Sequence, residues 1–118
     1  MARAIVDASF AVHSELGPGL LETVYEVCLA YEIGKRGFPV ARQVVLPVVY
    51  DRVRVDSGLR LDLLVADCVI VEVKAVESLA AIHTAQMLTY LKLSTLRLGL
   101  LINFNVRMIR DGIRRIAL

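Results

Sequence analysis

Two consecutive alternating runs, RLDLLV and VIVEVK, constrain the fold of this chain more than any other feature. Side chains along a strand point to opposite faces by turns, so Leu61, Leu63 and Val65 share one face, as do Val69, Val71 and Val73 on the return run. If both sets turn toward one core, Val65 pairs with Val69, Leu63 with Val71 and Leu61 with Val73, leaving Ala66-Asp67-Cys68 as a three-residue hairpin loop. Asp62 then stands opposite Glu72 with the Cβ atoms about 4.5–5.5 Å apart. Lys74 follows on the same face.

The flanking segments predict an α/β order. Ile5, Ala8, Val12 and Leu16 recur at helical spacing between Ala4 and Leu16, and Gly17-Pro18-Gly19 ends that helix. A second helix is expected from Leu20 to Arg36, with Leu21, Val24, Cys28 and Tyr31 on one stripe and Gly37 and Pro39 as stops. From Val40 to Leu64 the runs VVLPVVY, VRV and LRLDLL read as an antiparallel meander, with turns at Asp51-Arg52 and at Asp56-Ser57-Gly58. Pro47 places its strand at an edge or at a bulge. A helix from Leu79 to Leu93 capped by Ser78, then a buried strand from Leu96 to Phe104, imply a crossover that sets the last strand parallel to the Glu72 strand. After the turn at Asp111-Gly112, GIRRIAL reads as an edge strand.

With 118 residues the chain reads as one domain, residues 1–118. Its apolar share of 57% exceeds the roughly 45–50% of an average soluble domain. No run reaches the membrane-spanning length of about 18 residues, and Asp7 and Glu15 interrupt any signal-peptide pattern. The expectation is therefore a soluble cytoplasmic protein without membrane partners, its apolar surplus buried in a sheet covered on both faces and in a homodimer interface. Cys28 and Cys68 stand alone and are expected as small core residues. The net charge of +2 does not by itself indicate nucleic acid, although Arg107, Arg110, Arg114 and Arg115 cluster near the C-terminus.

Like charges facing each other on a sheet are destabilising, which makes Asp62 opposite Glu72 informative. A hard divalent cation such as Mg²⁺ takes carboxylate oxygens and removes the conflict. Lys74 would then stabilise charge on a bound phosphate or help position and deprotonate the attacking water. The same trio also arises on solvent-exposed sheets with ordinary cross-strand ion pairs. Leu64 and Ile70 on the same face, and a helix expected over it, favour a partly covered cleft.

The chain resembles the GxxExxY proteins, small prokaryotic members of the PD-(D/E)XK nuclease-like superfamily. The resemblance runs through VHSELGPGLLETVYE, RLDLLVADCVIVEVKAVE, HTAQMLTYLK, GLLINF and GIRRI. Gly19, Glu22 and Tyr25 meet the name motif, and Asp62, Glu72 and Lys74 the D-x9-E-x-K pattern. Leu61 stands where the superfamily's proline would be. The resemblance implies a restriction-endonuclease-like α/β fold, a central mixed sheet with helices on both faces. It further implies a Mg²⁺-dependent nuclease (Mn²⁺ as substitute) acting on DNA or RNA through metal-activated water. Asp62, Glu72 and the Val73 carbonyl would be the metal ligands, Lys74 the catalytic lysine, Glu22 a helix carboxylate helping through water, and Gln86 a supporting glutamine.

The alternative is a non-catalytic module of the same fold that binds nucleic acid or a protein partner. Tyr25, His83 and Tyr90 are candidates for substrate contact. A tyrosine such as Tyr25 is more often a core aromatic with a satisfied hydroxyl than a substrate contact, and His83 and Tyr90 share a helix face with Gln86. Gly17 and Gly19 read as a helix break at positive φ, and His13 as a surface or interface histidine. No phosphate-cradling glycine loop, Ser/His/Asp arrangement or nucleotide-cofactor fingerprint is present.

Overall fold

A computed structural model describes residues Met1–Leu118 in full. Helices α1 (Ala2–Leu16) and α2 (Glu22–Lys35) precede strands β1 (Val40–Tyr50), β2 (Val53–Val65) and β3 (Val69–Lys74). Helix α3 (Ala81–Ser94), strand β4 (Leu98–Asn103), a short 3-10 turn (Ile109–Gly112) and strand β5 (Ile113–Ala117) complete the chain. The five strands form one sheet in sequence order. Only the β3–β4 pair, which brackets α3, is parallel.

The sheet is covered on both faces, as the apolar content demands. Ile5, Ala8 and Val12 of α1 and Tyr25, Leu29 and Ile33 of α2 pack on Leu63, Val65, Val71 and Val73. Met87 and Leu91 of α3 pack on Leu59, Leu61, Ile70, Leu101 and Ile116 of the opposite face. No helix is long and apolar enough to cross a membrane.

Several expectations are corrected. The stripe of Leu21, Val24, Cys28 and Tyr31 does not face the sheet: Leu21 is 77% and Tyr31 67% exposed. Apolar residues of α2 recur on two stripes, and burial of Tyr25, Leu29 and Ile33 against the sheet selects the other one. Asp56-Ser57-Gly58 is no turn but part of β2, lying opposite the register shift between Leu46 and Val48. Pro47 thus sits both at a bulge and on an edge strand. A Cβ on Gly58 would lie 2.7 Å from the Val48 nitrogen, which explains the glycine. Ala80, not Ser78, is the N-cap of α3. Cys68 is exposed on the β2–β3 loop and Cys28 only partly buried. His13 is buried, its Nε2 2.7 Å from the Val106 carbonyl oxygen.

The predicted hairpin register holds for Val65–Val69 and Leu63–Val71, with Ala66 and Asp67 at positive φ in the loop. It fails beyond, because the ladder ends at Leu63–Val71 and Leu61 does not pair with Val73. Leu61 packs under α3 whereas Leu63 packs under α1 and α2, so the alternation changes sides between them. The change of sides coincides with a kink across the neighbouring strand. Gln43, between the paired residues Arg42 and Val44, has φ 53° and turns β1 opposite Asp62.

Candidate active site

The site is built where β2 and β3 part. Two backbone N–H groups lose their ladder partners there, and carboxylates replace them. The Val73 N–H donates to Asp62 Oδ2 at 2.9 Å, and the Asp62 N–H donates to Glu72 Oε1 at 3.2 Å. Asp62 and Glu72 therefore clasp the two strands reciprocally instead of projecting side by side from a closed ladder. Each keeps its second oxygen free of protein partners.

Glu72 is 4% exposed. Burial, and then the Asp62 charge beside it, push its carboxyl up to about 8, against the opposing effects of the Asp62 N–H bond and, after it, the Lys74 charge. Lys74, two residues on, donates from Nζ to Gln86 Oε1 at 3.4 Å, and Gln86 Nε2 donates to the Tyr90 hydroxyl at 3.1 Å. The Tyr90 hydroxyl is itself pushed up by burial and by the Glu72 and Asp62 charges. Helix α3 thus brings Gln86 and Tyr90 to the strand residues, as their spacing predicts. His83 does not join them: its Nδ1 accepts from the Ala80 N–H and closes the start of its own helix.

Glu22, in the first turn of α2, accepts from the Ala75 N–H at 3.3 Å and ties that helix to the end of β3. It borders a cleft of about 280 Å³ together with Asp62. No three side chains among His, Cys, Asp and Glu converge closely enough to hold a metal by themselves. The oxygen donors at the seam are two carboxylates and backbone carbonyls such as that of Val73.

Tyr25 is corrected from substrate contact to core. Fully buried, it stacks on Phe104 with ring centroids 4.6 Å apart and 7° between planes. Its hydroxyl donates to the Gly17 carbonyl at 2.6 Å and accepts from the Leu20 N–H at 3.1 Å. Gly17 and Gly19 both take positive φ in the turn so stitched. Tyr25→Phe is expected to lower stability by about 0.5–1.5 kcal/mol, because the half-buried Gly17 carbonyl and the exposed Leu20 N–H lose the hydroxyl that bridges them. Thermal unfolding will show this as a lower Tm, with metal affinity unchanged in the folded protein.

Sequence reading missed several contributors. Arg42 and Gln43 both engage the buried Glu26 carboxylate, through Nε and Nη2 at 3.1 and 2.9 Å and Nε2 at 2.7 Å, fixing α2 to the kinked part of β1. Asn103 is buried and holds both the N–H and the carbonyl of Val76, which sets the chain's exit after Lys74. Only its place at the polar end of an apolar run signals it. Arg60 stands two residues before Asp62 and borders the same cleft.

A family model described as the PD-(D/E)XK nuclease superfamily matches residues 1–116. No curated protein and no solved structure matches the chain.

Proposed function

This chain belongs to the PD-(D/E)XK nuclease superfamily, and on that basis we propose that it is a Mg²⁺-dependent nuclease hydrolysing phosphodiester bonds in DNA or RNA at Asp62, Glu72 and Lys74. The observation that carries this reading is the parted seam between β2 and β3, where two carboxylates are held together and one is buried. A structural sheet gains nothing from that repulsion, whereas a divalent cation removes it. The donors suit such an ion: the free oxygens of Asp62 and Glu72 and the Val73 carbonyl are hard ligands, with water left to complete the set. When bound, the cation supplies Lewis-acid charge at a phosphoryl oxygen and lowers the pKa of water.

The chain's own groups do the rest. Lys74 opposes the negative charge that develops on the phosphate, and Gln86 orients its ammonium. Glu22 orients water on the open side of the cleft. Titration calorimetry with Mg²⁺ and Mn²⁺, followed by incubation with single- and double-stranded DNA and RNA, tests this reading. Metal binding accompanied by metal-dependent cleavage is the expected result. Folded protein that does neither overturns it and leaves a binding module on the same fold.

A further inference from the structure

Two clefts meet at one residue. The cleft of about 280 Å³ beside Glu22 and Asp62 and a second of about 420 Å³ beside Val45, Gly58 and Tyr90 share Arg60 as a common wall. A polymer, unlike a small molecule, needs a continuous path through the site. Arg60 is the residue that both clefts have in common, so a polymer occupying the two would pass it.

Arg60 is also the cation lining these clefts that makes no side-chain hydrogen bond or ion pair within the protein. Arg42 is bound to Glu26 and Lys74 to Gln86. Asp62 lies two residues along the same strand, yet no carboxylate comes within 4.0 Å of the Arg60 guanidinium. Its base is nonetheless fixed: Arg60 pairs with Val45 in the β1–β2 ladder, between the buried residues Leu59 and Leu61. A guanidinium presents its donors in a fork that matches phosphate oxygens.

We propose that Arg60 holds a backbone phosphate of the nucleic acid beside the Asp62–Glu72 pair, fixing where the polymer crosses the sheet. This rests on the site being one for nucleic acid. The test compares wild type with Arg60→Ala and Arg60→Lys, each checked for folding by circular dichroism. Fluorescence anisotropy with labelled single- and double-stranded oligonucleotides is run over a salt series with Ca²⁺ in place of Mg²⁺, followed by cleavage kinetics with Mg²⁺.

Arg60→Ala is expected to raise Kd and KM about tenfold across sequences, with kcat close to wild type. The slope of log affinity against log salt falls by roughly 0.7–0.9, the contribution of one phosphate contact. Arg60→Lys recovers the slope but only part of the affinity, because a point charge replaces the fork. Unchanged affinity and slope in folded Arg60→Ala, or a fall in kcat alone, overturns the proposal. If wild type binds but never cleaves while Arg60→Ala weakens binding, the nuclease reading fails and the phosphate contact stands. If wild type cleaves and Arg60→Ala binds and cleaves just as well, the phosphate contact fails and the nuclease reading stands. Wild type that binds no nucleic acid overturns both.

Discussion

Asp62→Ala and Asp62→Asn are both expected to lose metal-dependent cleavage by about 10²–10³-fold or more, the scale on which removal of a preorganised charged group at a reaction centre registers. The pair separates chemistry from architecture. Asp62 accepts from the Val73 N–H as well as offering a free oxygen, so alanine leaves that N–H without its acceptor, at a cost of about 1–3 kcal/mol. Asparagine keeps an acceptor and removes the charge. Titration calorimetry should show metal affinity lost in both variants, while thermal unfolding should show the asparagine variant at least as stable as wild type without metal, since the repulsion on Glu72 is relieved. A folded Asp62→Asn protein with full activity would sink the reading of this pair as a metal centre.

The metal-free protein is expected to lose stability as the pH rises from about 5 to about 9, by a few kcal/mol, and a bound divalent cation should restore it. Glu72 drives this. Its carboxyl has an ordinary value of 4.5 in the unfolded chain and is pushed up to about 8 in the fold, first by burial and then by Asp62. Between those values the folded protein keeps a proton that the unfolded chain has released, so stability falls as pH rises. Its contribution is fully present below the unfolded value and lost on passing through the folded one. Denaturant unfolding over that pH range, with and without Mg²⁺, measures the effect. Glu72→Gln should flatten the dependence and abolish the Mg²⁺ rescue. Metal uptake at neutral pH should release a proton, which calorimetry in buffers of different ionisation enthalpy detects. A flat pH profile in wild type would mean that Glu72 ionises without difficulty in the fold.

The role of the helical motif residues separates along the same lines. Glu22 reaches the cleft beside Asp62, but Tyr25, three residues on, is buried by the core. A spacing of three puts two side chains on neighbouring parts of a helix face without saying which of them the core will claim. Stacking on Phe104, far away along the chain, settles it for Tyr25. His83, Gln86 and Tyr90 share a face in the same sense, yet only the latter two reach the strand residues, because His83 lies at the helix start where the Ala80 N–H needs an acceptor.

Local periodicity and chain punctuation were enough to define three helices, the hairpin loop at Ala66-Asp67-Cys68, the parallel return of β4, and the nearness of Asp62, Glu72 and Lys74. Period-two alternation fixes faces only while a ladder is regular. Where the ladder breaks, the assembled fold takes over. Gln43 at positive φ kinks β1, the β2–β3 ladder stops at Leu63–Val71, and the two carboxylates close the gap by taking each other's strand N–H groups. The same holds for the choice between two apolar stripes on α2, and for Arg60, whose position on the wall of two clefts depends on groups brought from β1, α2 and α3. Burial and unpaired backbone polarity are properties of the assembled sheet, and no short segment carries them.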